Sequence, residues 1–259
     1  MAAGWSLPWC GFSAKNDSAT ALTDVLRELP PRNRLFQHYW RIFSMNRRNF
    51  SLGASALAML PLVGTVHAQG AAPVAGKEYM VLGKPAPVDA PAGKVEVVEF
   101  FSYNCPHCAA FEPRLESWVK KLPANVAFKR VPVPFVGTDV EAKQRFYYTL
   151  EAMGKVDEFQ AKIFQAIHGA NERLMGDDAI LAWSTKQPGL DAKKFADMFK
   201  SFSVSGKAKR ATQLVEAYKV SGVPSFGIAG RFYADGELAG TMERALQVTD
   251  FLIVQAPKA

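Results

Sequence analysis

Cysteine is scarce in this chain, with three residues among 259. That is too few for a small fold stapled by several disulfides. Histidine is scarce too, at four residues. No apolar run reaches the roughly 18–20 residues of a spanning helix without Gly, Pro or polar breaks. Glycine (19) and proline (16) are near average use, which excludes collagen-like and low-complexity chains. The apolar fraction is 49% and the charged fraction 21%, values of a globular protein rather than a disordered one. At roughly 100–200 residues per domain, the length allows one or two domains.

A strong basic surface is also missing from most of the chain. The net charge is +7, but residues 1–68 carry 7 Lys+Arg against 3 Asp+Glu. Residues 69–259 are left with a net of only +3. Nucleic acid is therefore not expected as a partner.

The basic segment has a layout of its own. Met45 opens a block with Arg47 and Arg48, an apolar stretch over 51–66, and Val66-His67-Ala68. This is the order of a secretory signal peptide, with cleavage expected after Ala68. The paired arginines followed by Phe50 and Leu52 also fit a twin-arginine signal, though Asn46 stands where Ser or Thr is usual. Sec and twin-arginine export both stay open. Residues 1–44 are expected to be an upstream extension of the reading frame, or disordered, with Met45 as the true start. The alternative is a genuine tail followed by a membrane anchor. Either reading places the folded part beyond the inner membrane.

Cleavage after Ala68 would remove Cys10 and leave Cys105 and Cys108, in the run Cys105-Pro106-His107-Cys108. A ring closed over so few residues does little to stabilise a fold, so a redox role explains it better than a structural one. Zinc would need about four ligands, and only His107 and His168 would remain beside the two thiols, so no metal is expected. Attached haem needs histidine after the second cysteine, and Ala109 stands there. Two inert core cysteines are the plainer alternative.

The neighbours of the pair argue against inertness. Residues 95–101 (VEVVEFF) are β-branched and aromatic and read as a buried strand. From Cys105 a helical apolar stripe follows through Ala109, Phe111, Leu115, Trp118, Val119 and Leu122. Pro106 suits the first turn, Pro113 predicts a kink, and Pro123 ends the helix. Cys105 is thus expected at a helix N-terminus, where free amides and the helix dipole favour a thiolate. His107 adds a charge or a donor beside it. Cys108, one turn on, is expected to be the more sheltered thiol.

Glu99 to Cys108 (EFFSYNCPHC) resembles the active-site segment of the DsbA family of periplasmic thiol:disulfide interchange proteins. The Pro-His pair between the cysteines is characteristic of that family. A second match is Ser221-Gly-Val-Pro-Ser-Phe226. The resemblance implies that Val223-Pro224 is a cis bond facing the sulfurs, with Val223 and Pro224 forming a substrate-binding edge. It covers nearly all of 77–256. It further implies a buried acid–base pair beneath the disulfide. Glu99 matches the acid, while the base falls on Arg130, with Lys129 beside it, where the family has lysine. Arginine does not readily release a proton, which puts a proton-relay role for the pair in doubt. The plainer reading of Glu99 is a solvent-facing strand residue.

The rest of the chain reads as a strand over 125–133, then helices at 139–153, 156–168, 177–187, 191–201 and 205–219. A strand follows from Pro224 to Ile228, another over 230–233, and a last amphipathic helix over 241–256. The expected class is α/β: a thioredoxin fold (69–138 and 209–259) with an all-helical domain (139–208) inserted in it. Phe146, Tyr147, Tyr148, Phe159, Phe164, Trp183, Phe195 and Phe199 are expected to form mainly the core of the insert.

The function expected is that of a periplasmic dithiol oxidase, with Cys105 and Cys108 as the redox pair and no cofactor. The alternatives are a disulfide isomerase or reductase, or a redox-inactive chaperone. Only 36 residues (69–104) would precede Cys105 after cleavage, too few for an isomerase's dimerisation domain, so a monomer is expected. The resemblance implies reduced, unfolded exported proteins as substrates and a quinone-linked membrane partner of the DsbB type as reoxidant.

Overall fold

The computed structural model describes residues 71–257 and 259. The expected extension (1–44) and signal peptide (45–68) lie outside them. Among the described residues no helix is long and apolar enough to cross a membrane.

Five strands form one sheet in the order β1-β5-β4-β2-β3. They are β1 (Met80–Val81), β2 (Val95–Phe101), β3 (Val126–Pro132), β4 (Ser225–Ile228) and β5 (Phe232–Asp235). All seven residues of β2 are buried, as its unbroken β-branched and aromatic run predicts for a central strand. It pairs in parallel with β3 and antiparallel with β4. A parallel pair needs a crossover, and α1 (Pro106–Val119) supplies it.

Strand alternation divides the core. Val95 and Val97 face one cluster, with Phe111 and Leu115 of α1 and Val248 and Leu252 of the C-terminal helix α8 (Met242–Gln255). Val98 and Phe100 face a second cluster, where Phe100 meets Tyr218 edge-on at 5.2 Å. Phe101 and Tyr103 continue this second cluster into the helices that follow β3.

Those helices are α2 (Val140–Ala152), α3 (Val156–Phe164), α4 (Gly176–Ser184), α5 (Ala192–Phe199) and α6 (Phe202–Tyr218). Phe146 centres them, 5.4 Å from Trp183 and 5.7 Å from Phe195. All eight aromatics expected in this core are buried. The element order is the one expected, β-α-β, a helical block, then β-β-α. The expected limit of the insert at 208 falls inside α6, which runs unbroken from 202 to 218.

Three details were not expected. Strand β1 has two residues, too few to show a period, and is recognisable only by its pairing with β5. Residues Gln165–Gly169 form a π-helical turn after α3. A one-turn helix, α7 (Gly236–Ala239), is capped by the Asp235 side chain. As expected, helix α1 contains Pro113 in its interior.

Gly227 in β4 has a structural reason. A Cβ there would lie 2.4–2.9 Å from the Tyr218 ring, whose hydroxyl accepts a hydrogen bond from Gly230 N at 2.9 Å. Gly227→Ala should therefore force Tyr218 off Phe100 and destabilise the fold by about 1–3 kcal/mol, read as a lower urea midpoint. An unchanged midpoint would show that the ring gives way freely.

Candidate active site

Cys105 follows β2 and is the N-cap of α1, with extended backbone (φ −88°, ψ 115°) and Pro106 as the first helical residue. Its amide donates to Ser102 O at 3.0 Å and its carbonyl accepts from Ala109 N at 3.2 Å, which pins the turn. Pro106 and His107 are exposed. The two cysteines are free thiols, so this is the reduced form.

The expected contrast in exposure is small. Cys105 is 5% exposed and Cys108 2%. The cause is the loop that precedes β4. The Val223-Pro224 bond is cis, and Val223 O lies 3.5 Å from Cys105 Sγ. That contact joins two segments 118 residues apart.

Chemistry separates the sulfurs more than burial does. The Cys105 thiol is held down to about 6, first by a hydrogen bond from the Cys108 thiol, against the opposing effect of burial. The amides of Cys108 and His107 at the helix start help, and so does the electrostatic effect of His107. The Cys108 thiol is pushed far up, by giving its proton to that hydrogen bond, by burial, and by repulsion from Cys105 and Glu99. One proton is thus held between two sulfurs and stays on the inner one.

Beneath them lies a buried charged cluster. Glu99 and Arg130 are register partners on β2 and β3, with Arg130 Nε 3.0 Å from Glu99 Oε2. Glu99 is 1% exposed, so the solvent-facing reading fails. Arg130 also reaches Glu112 on α1, Nη2 to Oε1 at 2.7 Å. Lys129 points elsewhere, to Glu96 at 2.9 Å and Asp89 at 3.2 Å. One guanidinium therefore serves two buried carboxylates, and the trio would carry a net negative charge if both ionised. Burial pushes Glu99 up to about 8 against the pull of Arg130, with repulsion from Glu112 adding to the rise. Glu112 is raised as well, again first by burial. A proton retained on the pair of carboxylates is the inexpensive solution.

Glu112 is the site residue that the sequence reading missed. Its position was a usable signal, because four residues past Cys108 a side chain shares the helix face of that thiol. Glu112 also lines a cleft of about 560 Å³ beside Pro106, between α1 and the π turn. Tyr103 O–H donates to Gln160 Oε1 at 2.7 Å, and the Tyr103 carbonyl accepts from His168 Nε2 at 2.9 Å. Both contacts tie the active-site turn to α3 and the π turn.

The sequence profile of the DSBA-like thioredoxin domain matches residues 96–247. The chain is 43% identical over 209 residues to the thiol:disulfide interchange protein DsbA of Bordetella parapertussis, covering 80% of this chain and 96% of that one. It is 40% identical to the protein of the same name from Pseudomonas aeruginosa, over 80% of this chain and 95% of that one. The crystal structure of Pseudomonas aeruginosa DsbA superposes with a TM-score of 0.66 and 39% identity, over 70% of this chain and 93% of that one. The thioredoxin fold read from the sequence is the fold observed.

The two shifted groups titrate stability in opposite directions. Cys105 ionises more readily folded than unfolded, so its contribution to the reduced form is present above the ordinary thiol range and fades as pH falls through about 6. The urea stability of reduced over oxidised protein should shrink from about pH 9 to about pH 5. A gap independent of pH would contradict a low Cys105 pKa. Glu99 is raised, so its contribution is lost as pH rises through about 8. Glu99→Gln should gain stability relative to wild type between about pH 5 and pH 9. Parallel pH profiles would show that Glu99 keeps its charge throughout.

Proposed function

The chain belongs to the DSBA-like thioredoxin-domain family, and we propose that it acts as a dithiol oxidase through Cys105 and Cys108, the enzyme being a thiol:disulfide oxidoreductase. In the oxidised enzyme a substrate thiolate attacks Cys105 Sγ and breaks the Cys105–Cys108 bond. Cys108 leaves with the electron pair and takes up a proton. A second substrate thiolate then attacks the substrate sulfur of the mixed disulfide and expels Cys105 as a thiolate. The substrate loses two electrons and gains a disulfide, and the enzyme is left as the dithiol.

The observation that carries this reading is the asymmetry of the two sulfurs. A stable Cys105 thiolate is a good leaving group, and it stabilises the reduced enzyme, which makes the disulfide oxidising. A Cys108 thiol that holds its proton does not compete for the mixed disulfide. Glu99 and Glu112 support the step by offering a proton near Cys108, while Arg130 holds both carboxylates and keeps its own proton. His107 and Pro106 shape the exposed start of the helix. Val223 and the cis Pro224 form an edge along which an extended substrate segment pairs its backbone. The substrates are reduced, unfolded exported proteins in the periplasm. A quinone-linked membrane partner of the DsbB type accepts the electrons, and the enzyme works as a monomer.

Oxidation of reduced ribonuclease, compared with reshuffling of scrambled ribonuclease, separates an oxidase from an isomerase. Fast oxidation with slow reshuffling is the expected result, and the reverse overturns the reading. Cys105→Ser and Cys108→Ser should both abolish oxidation, and the Cys105 thiolate of Cys108→Ser should instead attack a disulfide of scrambled ribonuclease, holding one substrate sulfur as a mixed disulfide and releasing the other as a thiol. Full activity of Cys105→Ser in cells would point to a redox-inactive chaperone. Equilibration of the Cys105–Cys108 couple with glutathione should leave the enzyme mostly reduced.

A further inference from the structure

The sheet topology places two loops at the edge where Cys105 sits. Strand β4 runs antiparallel to β2, so the Val223-Pro224 loop before it lies at the C-terminal end of β2. Strand β3 runs parallel to β2, so the loop after it, residues 133–139, emerges at the same end. Val133 N donates to Phe101 O at 2.9 Å, which starts that loop level with the end of β2. Cys105 is thus flanked on both sides, and the site described above uses only one flank.

The second flank has an unusual backbone. Val136, Gly137 and Asp139 have φ of 78°, 80° and 54°. A β-branched residue in the left-handed region is a true outlier, and such geometry persists only where surrounding contacts impose it. The contact here is Asn104, the residue immediately before Cys105. Its Nδ2 donates to Val136 O at 3.1 Å and to Thr138 O at 2.9 Å. These two bonds span the left-handed stretch. Packing agrees, since a Cβ at Gly137 would lie 3.0–3.2 Å from the Asn104 side chain. The loop also carries Phe135 and Val136, both half-buried and packed on the cluster that includes Cys105 and Cys108.

We propose that Asn104 is a positioning residue, whose amide pins the 133–139 loop as the second wall of the peptide-binding edge at Cys105. This rests on the oxidase reading and deepens it. The wall offers Phe135 and Val136 to an apolar side chain next to the substrate cysteine. Asn104 touches neither the substrate nor the reacting sulfurs, so its effect falls on substrate affinity.

The test uses a dithiol peptide with an apolar residue beside its first cysteine, and the serine analogue of that peptide for binding without redox chemistry. Asn104→Ala should raise KM for the peptide about tenfold, the order expected for two ordinary hydrogen bonds, with kcat within about twofold. Binding of the serine analogue should weaken by the same factor. Gly137→Ala approaches the same contact from the loop side and should raise KM similarly. The double variant should be no worse than the poorer single one, because both break one contact. Unchanged KM and unchanged analogue binding overturn the proposal. So does a fall in kcat and in glutathione exchange matching the rise in KM, since Asn104 would then act on the sulfur. Failure of the wild-type enzyme to oxidise the peptide sinks the oxidase reading alone, because analogue binding still reports on the loop.

Discussion

The placement of two thiols one helical turn apart at the start of α1 organises this site. The Cys108 thiol donates to the Cys105 sulfur, which draws the outer pKa down and drives the inner one up. The helix start contributes amides to the same end, yet the neighbouring thiol is the larger influence on Cys105. An oxidised bridge cannot contain this interaction. Reduction creates it, and that is why a two-cysteine ring can favour electron uptake. The rest of the fold serves to keep one sulfur next to the other and away from bulk water.

The charged cluster below shows what that shelter demands. A carboxylate at Glu99 is costly on a strand with every side chain buried. The register brings Arg130 opposite it, and helix α1 brings Glu112 to the far side of the same guanidinium. Two acids around one permanent cation keep a proton that a simple pair would release. The proton-holding duty that arginine cannot take therefore passes to the second acid. Glu112 lies on the same helix as the cysteines, so the cluster and the redox pair share one rigid element.

The helical block adds connection rather than chemistry. Phe101 and Tyr103 enter its aromatic core, and Gln160 and His168 hold the turn between β2 and α1 by hydrogen bonds. Glu112 lines the cleft between α1 and the π turn while staying 3% exposed. Catalytic turn, buried cluster and helical block are thus mechanically one unit.

The buried strand, the helix after it and the cysteine at their junction could be read from adjacent residues. Those features rest on β-branched content, apolar spacing and proline placement, all of which act within a few positions. Most of the helices were legible for the same reason, and Val223-Pro224 was legible through a short motif. Strand β1 and the π turn were not, because they depend on pairing and packing partners elsewhere. The same holds for most of the site: Glu99 opposite Arg130 comes from parallel register, the contact of Arg130 with Glu112 from packing of α1 on the sheet, and the carbonyl of Val223 over Cys105 from a loop 118 residues away. The order of residues determined which sulfur stands at the start of the helix. Only the folded sheet, by bringing three strand ends to one edge, decided what surrounds it.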